Sequence, residues 1–163
     1  MYCQGNEPAF HIPYLYDFSS EPWKTQSRVR EIMQLWYNSG PFSIPGDDDG
    51  GAMSSWYVFS AMGFYPVTQG RPDHEIGSPI FKKIVINVGG GRTFIIEAKN
   101  VSQRNKYIQS ATLDGKALDK PWIEHADIVK GGKLVFEMGA MPNKSWGSEP
   151  GDAPPSMSAP ADQ

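Results

Sequence analysis

The chain has 163 residues and a formal net charge of −3, and this length is typical of one domain. The acidic balance argues against nucleic acid and anionic membranes as main partners, because both are bound by basic surfaces. No apolar run approaches the ~18 residues that a membrane-spanning helix needs. Hydrophobic residues make up 39% of the chain and charged residues 20%, so a packed globular core is expected.

Residues 1–70 are predicted to be helical. A first helix is expected to begin within Ser19–Pro22, with a serine cap and with Pro22 in its first turn. Its buried face is predicted from apolar residues at helical spacing, namely Val29, Ile32, Met33 and Trp36. The turn-forming run Asn38–Pro41 ends this helix.

A second helix is predicted over Ala52–Met62, and Gly63 fits the position just past its end. Met53, Trp56 and Phe59 form its buried side. Two helices this rich in aromatic residues cannot bury all of their apolar surface against each other. We therefore expect further helices to cover them, so that the chain forms the end of a larger structure.

Residues 71–141 change to a β pattern. Short β-rich runs separated by glycine turns predict an antiparallel, sandwich-like sheet. The predicted strands are Ile84–Val88, Thr93–Glu97, Tyr107–Leu113, Lys116–Leu118 and Leu134–Met138. Residues 142–163 are rich in Pro, Ser, Ala and Gly, which predicts a disordered tail.

A first chemistry-bearing segment runs from Gln4 to His11 and contains an amide, a carboxylate and an imidazole. Oxygen donors on irregular backbone, together with backbone carbonyls, are what Ca²⁺ binds. The same residues also fit a polar helix cap beside a structural histidine. From the residues alone, both interpretations stay open.

A second segment carries three consecutive carboxylates, Asp47 to Asp49, followed by Gly50 and Gly51. Their repulsion disfavours folding, and a helix N-terminus offsets only ~0.3–1 kcal/mol per charge, whereas a bound divalent cation would offset more. The spacing excludes an EF-hand, because a glycine and a valine fall at ligand positions. An acidic helix cap with a flexible loop remains the simpler alternative.

Paired carboxylates also hydrolyse glycosides, one as a general acid and the other as a base on the opposite face of the sugar. Asp47 and Asp49 are too close in sequence to act from opposite faces. They could share the role of base. Alternatively, one could be the base while the other is a metal ligand or an orienting group.

Four segments resemble glycoside hydrolase family 92, a family of exo-acting α-mannosidases, many of bacterial origin. They are Gly5–Pro8, Pro45–Pro66, Ile108–Gly115 and Gly131–Gly139. The resemblance covers nearly everything up to about Gly147, and the long acidic, glycine and aromatic run of the second segment is specific. It implies an α+β chain that contains the last helices of an (α/α)6 barrel, followed by a C-terminal antiparallel β-sandwich-like segment.

The resemblance also implies inverting hydrolysis of terminal α-linked mannose, here with an α-1,2 preference, from mannose-containing glycans in N-glycan degradation. By motif position, it assigns the general base to Asp47 and Asp49. Asp48 is taken as a substrate contact. His11 is a further candidate for a sugar contact, with a structural histidine as the alternative.

Calcium is the cofactor that the resemblance implies, binding mannose hydroxyls and helping to distort the ring. The matching ligand segment is Gln4, through its carbonyl, with Asn6 and Glu7. Trp56 and Tyr57 are expected to pack in the core rather than to stack on sugar.

The family's catalytic acid and its N-terminal sandwich lie upstream and have no counterpart here. The chain thus resembles the last fifth of a family member, and the remainder of the enzyme is expected to be required. No signal peptide follows Met1, and the full-length protein is expected to be secreted or periplasmic. Two alternatives are a non-catalytic fragment and, less favoured, an independent carbohydrate-binding module over residues 79–141.

Overall fold

A computed structural model describes residues 2–156. This part of the chain contains three α-helices, α1 (Pro22–Trp36), α2 (Ala52–Met62) and α3 (His125–Val129), and four 3-10 helices, η1 (Glu7–Ala9), η2 (Ile12–Ser19), η3 (Asp49–Gly51) and η4 (Pro150–Asp152). The strands are β1 (Phe64–Tyr65), β2 (Asp73–Ile76), β3 (Lys83–Gly89), β4 (Arg92–Lys99), β5 (Tyr107–Leu113), β6 (Lys116–Ala117), β7 (Trp122–Glu124) and β8 (Gly132–Gly139).

Both predicted helices are confirmed. α2 ends at Gly63, whose φ of 105° suits glycine. α1 begins at Pro22 as expected, but the serine cap is wrong. Ser20 adopts a left-handed conformation that closes η2, and the Ser19 hydroxyl bonds back to the Tyr16 carbonyl.

The helical part has its own apolar core, which is dominated by aromatic rings. Its buried members are Phe10, Tyr14, Val29, Ile32, Met33, Met53, Trp56 and Ala61. Other apolar side chains point outward, including Leu35, which is 66% exposed. A groove of about 320 Å³ between Tyr2, η2 and α1 is largely apolar. The helices therefore leave apolar surface uncovered, as the aromatic content predicted.

The β part contains two sheets. One has the order β1-β2-β7 and is antiparallel. The other has the order β3-β4-β8-β5-β6, in which β4 and β8 run parallel. The prediction of purely antiparallel strands is wrong at this pair, because the long connection through β6, β7 and α3 returns the chain beside β4. β4 and β8 both alternate between more and less buried residues, a pattern typical of antiparallel strands with one covered face, so no periodicity signal indicates their parallel pairing.

A second core lies on one face of the five-stranded sheet, with Phe94, Ile96, Leu134 and Phe136 completely or almost completely buried. The three-stranded sheet crosses the predicted boundary at residue 70, since β1 follows α2 directly and pairs with β2. Its strands were not predicted, because they are short and carry charged residues that are nevertheless buried.

The prediction of a disordered tail is wrong for residues 142–156. Trp146 is only 6% exposed, and its indole N–H donates to the Leu118 carbonyl at 2.8 Å. The Trp122 indole N–H donates to the Asp152 carbonyl at 3.0 Å. One large aromatic side chain thus anchors a segment whose composition suggests disorder, and the rest of the predicted tail, 157–163, lies outside the described residues.

The mixed helical and β architecture confirms the predicted α+β class. Across residues 2–156, every helix is too short or too polar to cross a lipid bilayer.

Candidate functional site

The two segments singled out from the sequence lie in direct backbone contact. A Cβ added to Gly5 would lie 2.6 Å from the Pro45 carbonyl oxygen, and one added to Gly46 would lie 2.8 Å from the Gly5 carbonyl oxygen. These distances leave no room for a side chain at either glycine. The fold therefore places the segment Gln4–Glu7 beside the start of the acidic loop, Asp47–Gly51.

A buried glutamine holds the first segment in place. The Gln4 side chain accepts a hydrogen bond from the Tyr2 hydroxyl and donates one to the Tyr37 hydroxyl at 2.7 Å. Tyr37 in turn donates to the Met53 carbonyl in α2 at 3.4 Å. The Gln4 amide is thus structural, which leaves its backbone carbonyl as the group considered for a metal.

Tyr37 remains a neutral hydrogen-bonding group. Its pKa is raised to about 12, chiefly by burial, while the bond from Gln4 lowers it and the nearby Asp48 carboxylate has a smaller upward effect. Its ring stacks on Trp56 with centroids 5.8 Å apart. Sequence reasoning did not find this role for Tyr37, which lies in the turn after α1.

Trp56 ties the second helix to the first segment. It is completely buried, and its indole N–H donates to the Phe10 carbonyl at 3.1 Å. The expectation that it packs in the core is confirmed, and Tyr57 is half-buried beside Tyr37. Trp56 also positions the backbone just after η1, a role for which an interior tryptophan in a helix gives only a weak sequence signal.

Asp48 organises the acidic loop. Its Oδ1 accepts the backbone N–H of Ser54 at 2.9 Å, and its Oδ2 accepts the Ser54 hydroxyl. These bonds hold the pKa of Asp48 below its usual range. They also satisfy an N–H group in the first turn of α2, so Asp48 acts as a helix cap. Its predicted contact with substrate stays a prediction.

Asp47 and Asp49 are exposed on either side of this cap. Gly50 and Gly51 follow with φ of 60° and 78°, a backbone path that glycine adopts without strain. Within residues 2–156, neither carboxylate has a hydrogen bond or ion pair. Both are therefore accessible to a ligand.

The side chains of Asn6 and Glu7 are also without hydrogen bonds or ion pairs to the described residues. Asn6 is exposed and Glu7 half-buried in η1. His11 is exposed and lines a cleft of about 660 Å³ together with Glu7, Phe10 and Tyr65. Of the candidates, His11 and Glu7 thus share one cleft.

The donors present suit calcium in kind. One carboxylate, one amide and a backbone carbonyl are hard oxygen ligands, of which Ca²⁺ takes six to eight. Among the described residues, no group of three or more His, Cys, Asp or Glu side chains is placed to hold a metal ion. A calcium ion here would therefore draw on Gln4, Asn6 and Glu7 together with water, sugar or further protein oxygens.

Comparison with known proteins identifies the family. The sequence profile of the glycosyl hydrolase family 92 catalytic domain matches residues 1–140. The chain belongs to glycoside hydrolase family 92. Its segments Gly5–Pro8 and Pro45–Pro66, which carry the resemblance most strongly, both lie in the matched region.

Solved family 92 structures share the fold. The α-mannosidase BT3965 of Bacteroides thetaiotaomicron, solved with mannoimidazole, is 38% identical with a TM-score of 0.93, over 98% of this chain and 21% of that one. The inverting mannosidase BT2199 of the same organism is 43% identical with a TM-score of 0.87, over 92% and 20%.

A fungal relative is similar over the same extent. A protein of Arthroderma benhamiae, described as an uncharacterized secreted glycosidase, is 35% identical over 95% of this chain and 20% of its own length. The chain thus spans about a fifth of the relatives it matches.

Proposed function

We propose that this chain supplies the general-base side of an inverting, calcium-dependent α-mannosidase site. The observation that carries the proposal is the backbone contact between Gly5 and Gly46. It places the oxygen donors of the first segment beside the acidic loop. The free carboxylates of Asp47 and Asp49 are then available to a water molecule near a sugar bound between the segments.

In this proposal one of the two carboxylates, Asp47 or Asp49, takes a proton from the attacking water as the base, and the other orients that water. Inversion requires a carboxylic acid on the opposite face of the sugar to protonate the leaving oxygen. That acid would come from the remainder of the enzyme. Asp48 keeps the loop in shape through Ser54.

The proposed calcium ion would be held by the Gln4 carbonyl, Asn6 and Glu7, where it would bind sugar hydroxyls. The chain's own residues prepare this segment, since Gln4 and Trp56 anchor both of its ends. His11 is proposed to contact the sugar from the adjoining cleft.

The proposed substrate is a terminal α-linked mannose, with an α-1,2 linkage, in a glycan such as an N-glycan. The names of BT3965 and BT2199 support mannose, and the name of the fungal relative supports a secreted location. We further propose that these helices belong to an (α/α)6 barrel, whose other helices cover the exposed apolar face around Leu35. On this view, the isolated chain is inactive.

The test is a chimera in which residues 1–156 replace the matching fifth of BT3965. Asp49→Ala should lower kcat/KM for α-1,2-mannobiose about 10²–10⁴-fold, the usual contribution of general acid–base catalysis. Asp119→Ala is the control, because Asp119 is an exposed carboxylate without a partner among the described residues. Proton NMR of the first product should show the β-anomer.

Retention of a tenth or more of the activity by Asp49→Ala would remove Asp49 from the base role. An active control chimera with α-anomeric product would overturn inversion. Comparison of α-1,2-, α-1,3- and α-1,4-linked disaccharides tests the linkage. If the unmodified chimera folds but shows no activity, the chain is a non-catalytic fragment.

A further inference from the structure

Two carboxyl groups lie completely buried where the helical part meets the three-stranded sheet. Asp17 belongs to η2 and Glu75 to β2, and both side chains are 0% exposed. η2 packs against α1 as well as β2. Because this burial is achieved within the chain itself, nothing that packs on its outer surface is needed to create it.

These carboxyl groups have few partners. Glu75 Oε2 accepts the backbone N–H of Val67 at 3.1 Å. Glu75 Oε1 has no hydrogen bond with any described residue, and neither oxygen of Asp17 has one of regular geometry, although the Thr25 hydroxyl on α1 lies close enough to interact with Asp17. An ionised carboxylate without partners is very costly to bury, so such a group normally keeps its proton.

Among residues 2–156, no cation compensates the charge of an ionised Asp17. From η2 itself it faces Tyr14, whose hydroxyl is paired with Ser60 at 2.9 Å. Burial raises the pKa of Asp17 well above its usual range, although the nearby Thr25 hydroxyl lowers it, and the charge of Glu75 adds a smaller upward effect.

Glu75 faces a mixed set of groups. Tyr65 and Trp122 are its neighbours across β1 and β7. The pKa of Glu75 is raised to about 7, chiefly by burial; the Val67 N–H lowers it, and the charges of Asp73 and Arg71 have smaller effects, upward and downward respectively. Arg71 is already paired with Asp73 at 2.9 Å, so its charge does little to stabilise an ionised Glu75.

We propose that the Asp17–Glu75 pair is a proton-dependent latch, closed by protonated carboxyl groups in acid and opened by their ionisation. η2 begins directly after His11 and follows the proposed ligand segment. Opening the contact between η2 and β2 therefore loosens the segment that Gln4 and Trp56 otherwise hold. The buried pair and its titration are independent of the proposed mannosidase chemistry, since neither carboxyl group takes part in it, and only the effect on the ligand segment rests on that proposed function.

The sign of the pH effect follows from linkage. Both folded-state pKa values are raised, so the folded chain binds more protons than the unfolded chain between the two pKa values. Stability is then full below the unfolded pKa near 4 and is lost as pH rises through the folded pKa, which is near 7 for Glu75 and is raised well above its usual range for Asp17. His74, on the other face of β2, has a lowered pKa because it is buried, and it acts in the opposite direction.

The experiment is urea unfolding of the 163-residue chain from about pH 4 to pH 8. For the Glu75 group alone, the unfolding equilibrium constant should rise about a hundredfold, since a shift from 4.5 to about 7 spans more than two tenfold steps. Glu75→Gln and Asp17→Asn mimic the protonated forms. Each should reduce this rise, and the double variant should remove it, whereas Asp119→Asn should leave it unchanged.

Infrared spectroscopy gives a second readout that does not depend on unfolding. At about pH 6 most exposed carboxyl groups are ionised. The C=O stretching band of a protonated carboxyl group should therefore come from Asp17 and Glu75, and it should be lost in the double variant. The same band should be sought in the BT3965 chimera if either variant fails to fold alone. Absence of the band, or equal pH dependence in Glu75→Gln and the parent chain, would overturn the proposal.

A cation is the rival occupant of this site. If Ca²⁺ or Na⁺ at about pH 8 raises the urea midpoint of the parent chain but not that of Asp17→Asn, the pair is a cation site and the latch is wrong. If neither ion has an effect, and the carboxyl variants reduce the pH dependence of unfolding, the latch is supported.

Discussion

At the scale of single residues, two glycines decide how closely the two functional segments approach. A Cβ added to Gly46 would lie 2.8 and 2.9 Å from backbone atoms of Gly5 and 3.1 Å from the Met53 side chain. Backbone atoms cannot move aside as a flexible side chain can. A methyl group at this position must therefore push the acidic loop away from the segment Gln4–Glu7, here called the donor segment.

We predict that Gly46→Ala destabilises the chain by about 1–3 kcal/mol, the usual cost of overpacking. It should also lower the affinity for any ligand held between the segments. Urea unfolding measures the first effect. The control is Gly151→Ala, because a Cβ at Gly151 meets nothing within 4 Å. Equal stability of the two variants would show that the segments are not in contact.

At the scale of elements, α2 follows the acidic loop directly and also holds both candidate segments in position. Asp48 caps its first turn through Ser54, and Trp56 binds the Phe10 carbonyl from its middle. Tyr37 stacks on the same tryptophan. The helix thus connects the acidic loop to the donor segment through one buried side chain.

We predict that Trp56→Phe lowers stability by about 1–3 kcal/mol, because the Phe10 carbonyl loses its buried indole donor. Trp146→Phe is a matched control, since it removes a similar indole bond to the Leu118 carbonyl in the β core. Both should lower the urea midpoint. Only Trp56→Phe should also reduce activity in the BT3965 chimera, and equal activities would show that Trp56 has a purely structural role.

At the scale of the whole molecule, the chain contains only part of the site proposed above. It spans about a fifth of its relatives, and its helical part leaves Leu35 and Phe42 66% and 89% exposed. The donor segment and the acidic loop, by contrast, are joined entirely within the chain. A calcium half-site could therefore form without the rest of the enzyme.

We predict that the isolated chain binds Ca²⁺ weakly but saturably, and that EDTA inactivates the chimera until Ca²⁺ is restored. Titration calorimetry with far-UV circular dichroism on the same sample measures binding and folding together. Glu7→Gln should weaken binding at least tenfold, as loss of a charged ligand does, whereas Asp119→Asn should not. Indifference of the chimera to EDTA would refute the calcium proposal.

Many of the helices and strands follow from the spacing of apolar residues and glycines in the sequence. The helical spacing of Val29, Ile32 and Met33 placed α1 correctly, and Gly63 marked the end of α2. The short strands β1, β2 and β7 escaped prediction because their burial comes from neighbours distant in sequence. The parallel pairing of β8 with β4 escaped for the same reason.

The sequence by itself determined the family, the positions of the helices and most of the main-sheet strands, and the residue types available for chemistry. These properties depend on local periodicity and on contiguous motifs. Only the tertiary structure decided that Gly5 meets Gly46 and that Trp56 anchors Phe10. It also decided that Asp17 and Glu75 share one buried interface. Such contacts join residues more than 40 positions apart, and their free energy depends on packing and burial that no local pattern encodes.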